Sequence, residues 1–96
     1  MAVYVINNMN IHDAGEYKTY VRAFMPTLEG FGGKVLAVQN APEPVEGRWP
    51  YDRIVLLEFP SHELARQWVD SPAYQAIAGH RRAGVDSNVV MLDGLS

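Results

Sequence analysis

Four segments of this chain are rich in β-branched and aromatic residues, and none alternates apolar with polar as a strand with one wet face would. Arg53–Phe59 (RIVLLEF) puts Ile54 and Leu56 on one face and Val55, Leu57 and Phe59 on the other. Asn88–Asp93 (NVVMLD) sets Val89 and Met91 against Val90 and Leu92, and Lys34–Asn40 (KVLAVQN) sets Val35 and Ala37 against Leu36 and Val38. The first strand, Ala2–Met9, carries Val3, Tyr4, Val5 and Ile6 in succession. A sheet built from such strands needs cover on both faces, which restricts the architectures open to the chain.

The segments between supply cover for one face. Asp13 caps a helix, with Glu16 three residues on placed to reach back to the Asp13 amide. Tyr17, Tyr20, Val21, Phe24 and Leu28 recur at helical spacing. Pro26 lies inside that pattern and predicts a kink or an early loosening, and Gly30, Gly32 and Gly33 end the helix. Pro60 stops the third strand. Ser61 then caps a helix carrying Leu64, Ala65 and Trp68, and Ser71-Pro72 restarts it with Tyr74, Ile77 and Ala78 on the inner stripe until Gly84. The order is βαββαβ across residues 1–96 as one domain. It predicts an α+β ferredoxin-like plait, a four-stranded antiparallel sheet with helices on one face.

The other face then lies bare. At 96 residues, 48% hydrophobic and 20% charged, the chain has more apolar side chains than a small core accommodates. A second copy packed sheet to sheet accounts for the surplus, so the expected unit is a homodimer joined through the sheet face. Other classes fall away. There are no cysteines for a disulfide scaffold or a thiol nucleophile, and the net charge is −3 with no basic run for nucleic acid. No apolar stretch approaches the roughly 18 residues of a membrane span. MAVYVINNMN has no basic region ahead of its apolar residues, so a signal peptide is not expected and a cytoplasmic location is.

Arg81 shares the inner stripe of its helix with Tyr74, Ile77 and Ala78, and an inward guanidinium requires a carboxylate, carbonyls or a bound anion. Support of the helix C-terminal dipole is the alternative, and it suffices for His80 and Arg82. Tyr17, Tyr20, Trp68 and Tyr74 sit on inward stripes with polar tips that need partners. With Arg81 they suit a cleft for a planar or acidic small molecule, or they are ordinary core. Asn7 and Asn8 interrupt one apolar strand and Glu58 another. Such residues line a wet cavity or meet across an interface, and Glu58 also fits a base or a salt bridge. Glu46-Gly47-Arg48-Trp49 either closes over a pocket or braces the sheet edge. His12, His62 and His80 lack the spacing of a helical metal site, and no cofactor motif is present, so neither metal nor cofactor is expected.

The set of segments resembles the domain-of-unknown-function 1330 family of small bacterial proteins along essentially the whole chain. The likeness rests on Asp13-Ala14-Gly15-Glu16-Tyr17 with Tyr20, on Phe31-Gly32-Gly33-Lys34-Val35-Leu36, and on Glu46-Gly47. It continues through Leu57-Glu58-Phe59-Pro60-Ser61, Trp68, Ser71-Pro72-Ala73-Tyr74, Arg81 or Arg82, and Asp93-Gly94. The resemblance implies a dimeric α/β-barrel and no particular reaction. The wider superfamily includes cofactor-free quinol monooxygenases, muconolactone isomerases and haem-dependent peroxidases. Some of its monooxygenases use a tryptophan, a tyrosine and an arginine beside the sheet, which Trp68, Tyr74 and Arg81 match by type. The haem members use a histidine, and the outward direction expected of His80 speaks against that role. The expected function is binding of a small acidic or phenolic molecule in the cleft, with or without isomerase or monooxygenase-like turnover. A non-catalytic binding or stress-associated dimer is the alternative.

Overall fold

A computed structural model of the chain describes residues 2–95. The elements are β1 (Val3–Ile11), α1 (Ala14–Thr27), β2 (Lys34–Asn40), β3 (Arg53–Phe59), α2 (His62–Asp70), α3 (Pro72–Gly84) and β4 (Val85–Asp93). The strands form one sheet in the order β2-β3-β1-β4, each neighbour antiparallel. This is the ferredoxin-like α+β plait expected from the element order, with the second helical segment broken in two at Ser71.

The caps explain where the helices start. Ser61 accepts from the Leu64 amide at 3.1 Å and Ser71 from the Tyr74 amide at 3.3 Å. Asp13 Oδ1 accepts from the Gly15 and Glu16 amides, but the reciprocal half of the expected capping box is absent. The Asp13 amide instead donates to the Gly84 carbonyl at 3.0 Å, and the Glu16 carboxylate meets His80 Nδ1 at 2.7 Å. Tertiary partners on α3 replace the local one. Pro26, expected to kink or loosen the helix, lies one residue before the α-helix ends at Thr27, with Leu28 donating to Met25 and Glu29 to Pro26 in i→i−3 bonds.

β1 and β4 are longer than the residue pattern indicates. Val85 to Ser87 pair with Ile11 to Met9, so the polar Asp86-Ser87-Asn88 stretch is held in the sheet by its backbone rather than by side-chain burial. On the helix side, Val3, Val5, Met9, Leu57, Phe59 and Val85 are buried against Tyr17, Tyr20, Leu28, Ala65, Trp68, Tyr74 and Ala78. On the other side the register places Ile6 between Leu56 and Val90. Ile54 and Leu92 share this face, on which Val90 is 54% and Leu92 44% exposed. The total surface of 6050 Å² also exceeds the roughly 5,500 Å² typical of a monomer of this mass.

β2 departs from the expected alternation. A bulge between Val35 and Ala37 puts Val35 opposite Leu57 and Val38 opposite Val55, both on the helix side, while Ala37 pairs with Leu56 on the open side. The extra residue shifts the pleat by one, so Val35 and Val38, not Val35 and Ala37, share a face.

Gly84 fixes how closely α3 approaches α1. A Cβ there would lie 2.7 Å from the Asp13 carbonyl oxygen and 2.8 Å from Glu16 Cβ, and the Gly84 carbonyl accepts from both His12 and Asp13. Gly84→Val should cost about 1–3 kcal/mol through overpacking, read as a lower urea midpoint. An unchanged midpoint would contradict this close packing.

Candidate functional site

Between α1 and the helix side of the sheet lies a cleft of about 210 Å³. The inner stripe of α1 provides Tyr17, Tyr20 and Phe24, while α2 and α3 provide Trp68 and Tyr74. Alternation along the strands turns Val5, Asn7 and Met9 of β1 and Arg53, Val55 and Leu57 of β3 into it. The lining also includes the exposed side chains of Val21 and Met25.

The aromatic wall is held by committed polar tips. Trp68 Nε1 donates to Thr27 Oγ1 at 3.1 Å, and that hydroxyl donates to the Phe24 carbonyl at 2.7 Å. The indole centroid lies 4.2 Å from that of Tyr74, 5.2 Å from Phe59 and 6.0 Å from Phe24. The Tyr20 and Tyr74 hydroxyls meet at 3.5 Å. Burial, followed by the adjacent Tyr74 phenol, raises the Tyr20 pKa far above its ordinary value near 10, so Tyr20 is a neutral donor and not a base.

Five expected site residues converge here: Tyr17, Tyr20, Trp68, Tyr74 and Asn7. Asn7 is the unusual member. Its Oδ1 is shut off from water without a hydrogen-bond partner among the described residues. Glu58 is not in the cleft. It pairs with Tyr4 and Lys34 in the register and alternates with Leu57 and Phe59, so it belongs to the open face. This placement removes it as a base for the cleft. Arg81 points inward and is 8% exposed, as its stripe predicts, but its contacts lie in a neighbouring recess. It donates to Ser87 Oγ there, its Nε has no hydrogen-bond partner among the described residues, and the recess includes Arg82 and Asp86. Val89 lines both spaces, so they adjoin.

The residue the sequence reading missed is Arg53. Its Nε donates to the Tyr17 hydroxyl at 2.9 Å, its Nη1 donates to Asn40 Oδ1 at 2.7 Å, and its Cζ lies 5.6 Å from the Tyr17 ring centroid. The signal was present: Arg53 heads the face carrying Val55, Leu57 and Phe59. The Trp49 loop does not close the cleft. Trp49 packs edge-on against Tyr51 at 5.4 Å, and the Tyr51 hydroxyl accepts from Asn88, tying this region to the open sheet face. Among the described residues no three His, Cys, Asp or Glu side chains cluster as metal ligands, and no helix is long and apolar enough to cross a membrane.

The sequence matches the family described as a domain of unknown function, DUF1330, over residues 2–95. The chain belongs to the DUF1330 family. No curated protein matches the sequence. Among solved structures, a protein of unknown function from Rhodopseudomonas palustris is similar to this DUF1330 chain with a TM-score of 0.83 and 24% identity, covering 99% of this chain and 83% of the other. SnoaB, a cofactor-independent oxygenase from Streptomyces nogalater, gives a TM-score of 0.71 at 14% identity, covering 99% of this chain and 94% of its own. A dimeric ferredoxin-like protein of unknown function from Thermobifida fusca gives 0.66 at 13%, with 98% and 92% covered. At these identities the likeness is one of fold.

The raised Tyr20 pKa has a definite sign. Below pH 10 the phenol is neutral in both folded and unfolded chains, and its burial costs no ionisation energy. As pH rises past 10 only the unfolded chain ionises readily, so stability falls. Denaturant titrations between pH 9 and about pH 11 should show a shallower loss for Tyr20→Phe than for the natural protein. Equal slopes would contradict a buried neutral phenol.

Proposed function

We propose that this DUF1330 chain works as one domain in a homodimer joined through the open sheet face, each protomer binding a small phenolic or acidic molecule in its cleft. The observation that carries the reading is the cleft itself: a wall of three tyrosines, Phe24 and Trp68, with the Asn7 amide oxygen unpartnered against it. Flat apolar bodies match the wall, whose lining also carries the Asn7 amide. Arg81 stands beside this space across Val89.

The dimer reading draws on Ile6, Ile54, Leu56, Val90 and Leu92, which form one apolar surface across three strands. It also draws on the dimeric state of the structurally similar Thermobifida fusca protein. Light scattering should give twice 10.7 kDa for the natural chain and 10.7 kDa for Val90→Glu, because the variant places a charge in the apolar centre of the joint. A monomeric natural chain would defeat the assembly.

An isomerase or oxygenase is the second reading, favoured by the fold shared with the cofactor-independent oxygenase. A panel of phenols, quinols and lactones tests both. Binding predicts melting temperatures raised by the phenols and quinols. Turnover predicts product from at least one of them without added cofactor. A panel that leaves the melting temperature unmoved would defeat the cleft as a binding site.

A further inference from the structure

Resting on that cleft reading, we infer that Arg53 and Tyr17 form an anion-binding end of the cleft, and that its ligand is a flat, apolar-bodied carboxylic acid held as the carboxylate. Arg53 is half-buried at the start of β3, on the face that meets the helices. Its recorded partners, the Tyr17 hydroxyl and Asn40 Oδ1, are both neutral. Among the described residues no carboxylate lies within 4.0 Å of it, whereas Arg66 pairs with Asp70. Two of the five N–H donors of a guanidinium are thus engaged, and its charge is uncompensated. A partly desolvated cation in that state favours an anion beside it.

Tyr17 adds a second donor. Its oxygen accepts from Arg53 Nε through a lone pair, which leaves its own proton available, and no acceptor for that proton is found among the described residues. Both residues line the cleft, so a carboxylate there meets an O–H and the remaining guanidinium N–H groups together. The other end is set by the sheet. Met9 pairs with Arg53 and Asn7 with Val55, so Asn7 is the diagonal neighbour of Arg53, about 7–8 Å away on the same face.

The recess of Arg81 is differently provisioned. Asp86 lines it, and Arg81 already donates to Ser87. Among the described residues Arg81 likewise has no carboxylate within 4.0 Å, but it opens to its own recess, whereas Arg53 is part of the cleft lining.

The test is calorimetric binding of 4-hydroxybenzoate and of its neutral isostere 4-hydroxybenzamide to the full chain. The natural protein should bind the acid at least tenfold more tightly than the amide. Arg53→Gln should abolish that preference, and Tyr17→Phe should reduce it severalfold. Arg53→Lys should restore part of it. Thermal melts of each variant without ligand separate loss of fold from loss of recognition. Survival of the acid preference in Arg53→Gln, or its loss in Arg81→Gln with Arg53 intact, would overturn the inference. If the natural chain binds acid and amide equally, the inference fails and the cleft reading stands. If it binds neither, the cleft reading falls with it.

Discussion

The Trp68 indole is the joint on which the helical layer depends. It comes from α2, packs tilted against Tyr74 of α3 and Phe59 of β3, and meets Phe24 of α1 edge-on, with centroid separations between 4.2 and 6.0 Å. Its N–H is satisfied by Thr27 at the end of α1, in the turn that contains Pro26. One side chain therefore ties three helices to the central part of the sheet, and it is 2% exposed. Because the indole holds the far end of α1 at a set height, the space between α1 and the strands stays open instead of collapsing. Aromatic neighbours keep that spacing better than aliphatic ones, since rings resist compression and their polar tips are bonded across elements.

The sheet carries two different surfaces because its pleat does. On the helix side β1 supplies Val3, Val5 and Met9 to the core and Asn7 to the cleft, while on the other it supplies Tyr4, Ile6 and Asn8. The bulge in β2 matters to both. It swings Val38 to the helix side, where it joins the cleft lining, and leaves small Ala37 on the open side beside Leu56. The open side is thus flatter near this edge. The link from Tyr51 to Asn88 ties the loop before β3 to β4 across that same side. The open apolar face and the cleft are separated by one sheet thickness.

Much of this was legible in the residues. Element order, the serine caps and the two-faced β3 and β4 follow from hydrophobic spacing and cap chemistry, which are local. What escaped the sequence was set by contacts distant along the chain. The Glu16 carboxylate has an amide within local reach and chooses His80, which α3 brings alongside. Val85 to Ser87 show no strand signal of their own and become strand by pairing with β1. The β2 bulge leaves no signature that simple alternation detects. The site divides in the same way. Tyr17, Tyr20, Trp68 and Tyr74 were visible as inward stripes, and Arg81 was correctly turned inward. Its recess was not visible, because that depends on where Ser87 lands in β4. Arg53 and Glu58 were both readable by counting in twos from Leu57, which sends one to the cleft and the other to the open face.

The polar inventory of the cleft limits its chemistry. Its lining comprises apolar side chains, three phenols, one indole, one amide and one guanidinium, with no carboxylate or imidazole. Tyr20 is held neutral by burial, the indole proton is spent on Thr27, and Arg53 is a permanent cation. Such a set donates hydrogen bonds and stabilises negative charge, but it contains no group poised to accept a proton near neutral pH. A ligand that arrives already ionised is matched. A ligand that must lose a proton in the cleft does so through its own acidity, assisted by the charge of Arg53 and not by a basic side chain. In the proposed reading, binding and any turnover therefore share one preference, for an acidic ligand. The fold meets it with a cation at the head of β3, where Arg53 is half-buried.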